Sequence, residues 1–380
     1  MREFVDGNTA IARGALDAGC NFYAGYPITP ATPILLYMAR ELPKVGGILI
    51  QGEDEIASIG MCIGASLAGA RPLTATSGPG ISLYSENIGL AIMAEAPMVI
   101  VDVQRMGPAT GAATTGAQGD VQFVRWGTSG GYPIVALAPS TVPQCYTFTM
   151  KAFDIAERLR TPVFVLTDKE LSSAMATVEL KDFRKAEVGS RPMAPADEPF
   201  VPYRFETPES VPAFSPYGGP HVVRYTTSTH DEYGYLTKDP EKVNRLNQHL
   251  WAKIEARRDE LEMAEVDLDE GARVLFVSYG ITAQAMSEAV EEARKSGEKV
   301  SSLTVYSLWP VPEKAILEAA AGVEKIVVAE LNHGQYLREV ERVVYRHSAE
   351  AGVKAPKVVG LNKVDGTLIS PSEFLQAMEA

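Results

Sequence analysis

The chain has 380 residues, 46% of them apolar and 22% charged, the balance of a globular protein large enough for two domains that each bury a core. A formal net charge of −13 without a basic block excludes the phosphate-neutralising surface that nucleic-acid binding needs. The longest apolar runs, at 97–101 and 274–277, fall far short of the roughly 20 residues that span a bilayer.

The opening residues, Met1-Arg2-Glu3-Phe4-Val5-Asp6, lack the apolar segment of a signal peptide, and a cytoplasmic protein is expected. From residue 8 to 168 helical patterns alternate with short β-rich runs. Strands are expected at 22–25, 47–51, 73–76, 98–103, 134–137 and 163–166, with helices between them; such alternation predicts a largely parallel sheet covered on both faces. Pro30 suits a first helical turn, and Ser140-Thr141 before Pro143 reads as a capped start. Cys20, Cys62 and Cys145 are widely spaced, with no Cys-x-x-Cys cluster. They are expected as buried thiols, so this chain holds neither an iron–sulfur cluster nor a zinc site by itself.

Between Arg191 and Pro220 lie eight of the 25 prolines, a density that neither a continuous helix nor a central strand survives. A surface-wrapped linker is expected there, extending through the polar segment 226–232, followed by a charged helix over 240–264. A second βα alternation begins at Arg273. Its strands are expected at 274–278, 300–306, 326–330 and 357–361, and its helices at 283–296, 312–321, 335–349 and 371–378. The expected organisation is a first domain over 1–182, a proline-rich linker and charged helix over 183–268, and a second domain over 269–380. The fold class is α/β, with two doubly wound, mostly parallel sheets.

Three motifs carry chemistry. Gly25-Tyr26-Pro27-Ile28-Thr29-Pro30 ends the first strand, the edge of an open α/β sheet where ligands bind. Thr29 offers a hydroxyl and an amide suited to an anion, although a proline-capped turn would use the same residues for local backbone. Next, Glu53-Asp54-Glu55 opens a helix of small residues, Ala57, Ser58, Gly60, Cys62, Gly64, Ala65 and Ala68, and the following strand ends in Thr76-Ser77-Gly78-Pro79-Gly80. Acids at a helix start are stabilised electrostatically whatever their function, and small residues let any helix pack closely on a sheet. Finally, Asp102-Val103-Gln104-Arg105 ends a strand and opens a glycine-rich loop at 106–118 containing Thr114. An arginine there is a carboxylate receptor, through two parallel hydrogen bonds, or a surface ion pair.

The order of acid, small-residue helix, strand and Ser-Gly-Pro-Gly turn resembles the pyrimidine-binding half of a thiamine diphosphate enzyme. Together with Tyr-Pro-Ile-Thr-Pro and Asp-Val-Gln-Arg, it resembles the α subunit of the 2-oxoacid:ferredoxin oxidoreductases over essentially the whole chain, closest to the 2-oxoglutarate and branched-chain types. The resemblance implies a thiamine diphosphate pyrimidine-type domain followed by a transketolase C-terminal-like domain. It implies that Glu55 activates the cofactor by bonding its aminopyrimidine, where a carboxylate shares a proton with a weakly basic nitrogen. Tyr26, Pro27, Ile28, Ser77 and Gly78 then lie against the cofactor, Thr29 and Arg105 hold the substrate carboxylate, and Tyr26 and Thr114 lie in the substrate pocket. Met106 stands where relatives often carry glycine.

A diphosphate-binding Gly-Asp-Gly segment is missing; Gly119-Asp120-Val121 is the nearest string, in a loop followed by an amphipathic helix. By the resemblance, a β subunit supplies the diphosphate site, Mg²⁺ and a [4Fe-4S] cluster, with γ and δ subunits as further partners. The implied reaction is the reversible conversion of a 2-oxoacid and coenzyme A to acyl-CoA and CO₂, with electrons passed to ferredoxin; 2-oxoglutarate giving succinyl-CoA is the expected substrate, and 2-oxoisovalerate or an aryl glyoxylate also fits. A self-sufficient thiamine decarboxylase would need the missing diphosphate motif, and a purely structural subunit would need no convergent acid, hydroxyl and guanidinium. His230 is expected as a solvated or interface residue, and His333 as a turn, interface or coenzyme contact at a strand end. The helix around Arg257-Arg258-Asp259-Glu260 is expected as a solvated, ion-paired face.

Overall fold

A computed structural model of the chain describes residues 2–179, 181, 183 and 185–379. In the main sheet the strands run, edge to edge, Ser307–Trp309, Val135–Leu137, Pro162–Asp168, Met98–Met106, Pro72–Thr76, Phe22–Gly25 and Ile48–Gln51. All neighbours pair in parallel except the first two, and Ala112–Gly116 folds back antiparallel on the end of Met98–Met106. The central strand is buried from Met98 to Arg105, because helices cover both its faces and its near-continuous apolar run satisfies both.

Helix starts follow the side chains that cap them. Asp54 accepts from the Ala57 amide to begin Glu55–Leu67, Thr141 accepts from Gln144 to begin Val142–Leu159, and Asp239 accepts from Glu241 and Lys242 to begin Pro240–Glu255. Near the first motif the helix is Thr32–Glu41, so Pro33 and not Pro30 occupies its first turn. All three cysteines are free and buried, as expected.

The second sheet is ordered Ala264–Asp267, Val300–Val305, Val274–Ser278, Lys325–Glu330, Lys357–Asn362, parallel except for its first strand. Residues 264–267 are thus an edge strand and not the end of the charged helix, which stops at Glu255. Immediately after Val300–Val305 the chain crosses over, and Ser307–Trp309 joins the main sheet. One apolar core runs through both domains, from Ile59, Ile100 and Tyr84 to Leu275, Trp309 and Val340. A small third sheet pairs Arg2–Asp6 with Met175–Glu179.

The proline-rich segment is anchored more deeply than a surface linker. Phe214 is fully buried, Arg191 forms a buried two-bond pair with Glu157 at 2.5 and 2.9 Å, and the Arg160 guanidinium donates to the Pro212 and Ala213 carbonyls at 3.0 Å. His230 is 2% exposed and packs at a tilt against Tyr203, 3.8 Å between ring centres, so of the solvated and interface alternatives the solvated one is overturned. Among the described residues no helix is long and apolar enough to cross a membrane.

Candidate active site

Parallel register brings the strand ends Gly25, Thr76, Arg105 and Asp168 to one edge of the main sheet, since Thr76 pairs with Asp102 and Gln104 with Asp168. This is the carboxyl edge, where an open α/β sheet offers loops and helix starts to a ligand.

Glu55 begins its helix 7% exposed, and among the described residues no hydrogen bond or ion pair reaches its carboxylate. A buried acid left so is costly unless a ligand completes it. The short helix Gly78–Leu83 presses against it. A Cβ on Gly80 would collide with Thr76 Oγ1 and stand 2.9 Å from Glu55 Cγ, so only glycine lets the turn approach so closely. Ser77 occupies the cap position of that helix without capping it, and its buried hydroxyl has no partner. An unpaired carboxylate and an unpaired hydroxyl beside a glycine turn fit the polar edge of an aminopyrimidine.

Arg105 is 6% exposed and is already engaged: one guanidinium nitrogen donates to the Thr29 carbonyl at 2.6 Å, another to the Thr110 carbonyl at 2.9 Å. It therefore ties the Tyr26–Thr29 turn to the glycine-rich loop, and its Nε stays buried without a partner. Thr29 and Tyr26 are exposed, and Pro27 and Ile28 half-buried.

A cavity of about 620 Å³ opens between the two domains. Gly78, Arg105, Gly116 and Asp120 line one side; Asn332, His333 and Lys363 of the second domain line the other. Glu55, Tyr26 and Thr29 lie outside that lining. So does Thr114, which is exposed on the strand Ala112–Gly116 that folds back on the Arg105 strand.

Sequence reasoning missed how the second domain holds this loop. Gln118, fully buried, uses every hydrogen-bonding group it has. Its amide donates to the Leu331 carbonyl at 3.0 Å, its own carbonyl accepts from Asn332 Nδ2 at 2.6 Å, and Oε1 accepts from Thr282 and the Leu331 amide. Its Nε2 donates to Asp168 and to the Tyr279 carbonyl, both at 3.2 Å. Behind it Glu330 accepts from Tyr279, Asn332 and the amides of Tyr336 and Leu337, while burial still raises its carboxyl above the usual range. Asp102 and Asp120 entered the sequence reading only as members of their motifs; an acid inside Val-Ile-Val-Asp-Val was the available sign that Asp102 is buried.

The architecture and the unpaired acid define a thiamine diphosphate-binding domain joined to a second α/β domain. Residues 13–248 match the family described as pyruvate flavodoxin/ferredoxin oxidoreductase, thiamine diphosphate-binding, and residues 272–374 match pyruvate:ferredoxin oxidoreductase core domain II. The chain belongs to this oxidoreductase family. It is 43% identical over 378 residues to the 2-oxoglutarate synthase subunit KorA of Methanocaldococcus jannaschii, covering 99% of each chain. To the ketoisovalerate oxidoreductase subunit VorB of Methanothermobacter thermautotrophicus it is 36% identical, covering 98% of this chain and 96% of that one. Its fold superposes with a TM-score of 0.89 on the 2-oxoglutarate:ferredoxin oxidoreductase of Magnetococcus marinus, at 31% identity; all of this chain is covered, and 65% of that one. That structure holds 2-oxoglutarate, coenzyme A and succinyl-CoA.

Proposed function

We propose that the chain is the α subunit of a cytoplasmic 2-oxoglutarate:ferredoxin oxidoreductase, acting on 2-oxoglutarate and coenzyme A to give succinyl-CoA and CO₂ with electrons leaving to ferredoxin. The observation that carries this reading is the 43% identity across the whole length of a 2-oxoglutarate synthase subunit, against 36% for a ketoisovalerate relative. The site supports it through an unpaired buried acid and a buried guanidinium on one sheet edge.

In this reading the domain over 1–182 binds the aminopyrimidine of thiamine diphosphate, with Glu55 at the ring nitrogen and Tyr26, Pro27, Ile28, Ser77 and Gly78 around it. When bound, the cofactor supplies a nucleophilic carbon for the 2-oxoacid carbonyl and a sink for the electrons released. Glu55 holds the proton it shares with the pyrimidine. Arg105 and Thr29 orient the 1-carboxylate, using Arg105 N–H groups not spent on the two carbonyls and the Thr29 hydroxyl, while Thr114 tunes the choice of substrate. The partner β subunit supplies the diphosphate site, Mg²⁺ and a [4Fe-4S] cluster, alongside γ and δ subunits.

The test is to co-express the chain with its β subunit and assay the complex with 2-oxoglutarate, 2-oxoisovalerate and pyruvate, coenzyme A and a low-potential dye. Fastest coenzyme A-dependent reduction with 2-oxoglutarate is expected. A preference for 2-oxoisovalerate overturns the substrate, and turnover by the single chain overturns the subunit division.

A further inference from the structure

The central strand carries one acid within its apolar run, and Asp102 is fully buried there. No donor side chain reaches either of its carboxyl oxygens; they face the Asp120 carboxyl and the Gly78 amide. Asp120 stands at the cap position of the helix Val121–Trp126, yet it makes no capping bond. An aspartate in that position ordinarily accepts from the first-turn amides. Here the second domain does that work: Gln335 Oε1 accepts from the Gln122 amide at 2.9 Å, and its Nε2 donates to the Gly119 carbonyl at 2.6 Å. Gln104 Oε1 in turn accepts the Asp120 amide at 3.1 Å. The helix start is thus satisfied by others, and the Asp120 carboxyl is left to meet Asp102 at the cavity wall beside Arg105.

Asp102 is fully buried with both carboxyl oxygens unpartnered, and Asp120 keeps one buried, unpartnered oxygen at the cavity wall beside it; neighbouring carboxyl groups so placed disfavour ionising together, which favours a proton on the pair. Burial, then the neighbouring acid, push Asp102 well above the usual carboxylate range. Burial lifts Asp120 to about 6, moderated by the neighbouring Asp102 carboxyl and by the Arg105 charge. Arg105 is the charged group facing the pair from its own strand, and its buried Nε has no partner. Across the cavity stand His333 and Lys363, the latter bonded to Glu373 at 2.9 Å. Among the described residues no third acid, histidine or cysteine joins the pair to make a cation site.

We propose that Asp102 and Asp120 hold one shared proton on the wall of the Arg105 cavity and take up a second when an anion enters, so that a 2-oxoacid carboxylate is bound together with a proton. The proposal rests on Arg105 being the carboxylate receptor. An arriving carboxylate adds like charge beside the ionised member of the pair, which shifts the pair toward its doubly protonated form. Binding then presents Arg105 with a substrate anion in place of an internal one.

The test is calorimetric titration of the α–β complex, freed of thiamine diphosphate so that no bond is made or broken. It is titrated with 2-oxoglutarate at about pH 7 and about pH 5, in buffers of different ionisation enthalpy. A measurable fraction of a proton should be taken up per ligand near pH 7, and little near pH 5, where both acids already carry one. Asp120→Asn should bind 2-oxoglutarate with that uptake lost. Infrared spectra of the unliganded wild-type complex, which need no variant, should show a protonated carboxyl band near pH 7 that grows on adding 2-oxoglutarate. Binding without proton uptake, or an unchanged band, overturns the shared-proton pair and leaves the receptor reading intact. If instead Arg105→Ala binds 2-oxoglutarate as tightly as wild type, the receptor reading falls and the pair's role falls with it.

Discussion

The Arg105 guanidinium donates to the Thr29 carbonyl across 2.6 Å, so the residue assigned to receive the substrate carboxylate also holds in place the turn that carries the second receptor group. Truncating Arg105 removes both functions at once. A charge-assisted hydrogen bond contributes roughly 1.5–3 kcal/mol, so Arg105→Ala should lower kcat/KM about 10- to 150-fold for every 2-oxoacid accepted. Arg105→Lys should recover only part, because one ammonium cannot bridge the Thr29 and Thr110 carbonyls in a planar fork. Steady-state kinetics of the folded complex check this; unchanged kcat/KM in Arg105→Ala would remove the residue from substrate binding.

Glu55→Gln keeps the side-chain shape but not the proton-sharing charge. Exchange of the thiazolium carbon proton, followed by NMR in the loaded complex, should slow by about 10²- to 10⁴-fold, the usual worth of general acid–base assistance. Exchange at the wild-type rate with full cofactor occupancy would mark Glu55 as structural.

Gly80→Ala tests the close approach of the turn. The added methyl meets Thr76 Oγ1 and stands 2.9 Å from Glu55 Cγ, so one of them must move. Overpacking of this kind costs about 1–3 kcal/mol and should also weaken thiamine diphosphate binding. Thermal melts and cofactor titration measure the two effects; a variant that loses stability yet binds cofactor normally would separate Gly80 from the cofactor site.

Far from that edge, Glu95 is fully buried with Lys253 Nζ at 2.6 Å and His249 Nε2 at 3.1 Å, which pins the helix Pro240–Glu255 to the first domain. Burial would raise the Glu95 carboxyl, but the Lys253 ammonium and the hydrogen-bonded His249 beside it outweigh burial and hold it well below the usual range. Its contribution is therefore present above the unfolded value of 4.5 and is lost as pH falls below it. Lys253→Met should cost about 3–5 kcal/mol near neutrality, because a buried charge loses its partner. That deficit should shrink as pH falls below 4.5, which melts across pH would show. A deficit independent of pH would mean the lysine matters through packing alone.

The strands at 22–25, 73–76 and 163–166 were legible because each is a short apolar run between turn signals, buried on both faces. Glu55, Ser77 and Arg105 stood out as candidates because each lies at the start of a helix or the end of a strand beside small or glycine-rich sequence, and the structure brings these ends to one sheet edge. The strands Ala112–Gly116 and Ser307–Trp309 were not. Both are antiparallel additions whose pairing partner is set by where the chain returns, which local apolar periodicity does not encode. The same applies to His230, polar in sequence and sealed under Tyr203 in the fold.

By itself, then, the sequence determined the two βα alternations, the motif order and the identity of the acid and guanidinium, since these depend on residue type and spacing along one element. Tertiary structure alone decided that the second domain walls the cavity with Asn332 and His333, and that Gln335 satisfies the start of a first-domain helix where Asp120 makes no capping bond. The contact between Gln122 and Gln335 joins residues 213 positions apart. Hydrogen bonds across such separations follow from how two sheets pack through a shared core, and no local pattern in the chain records them.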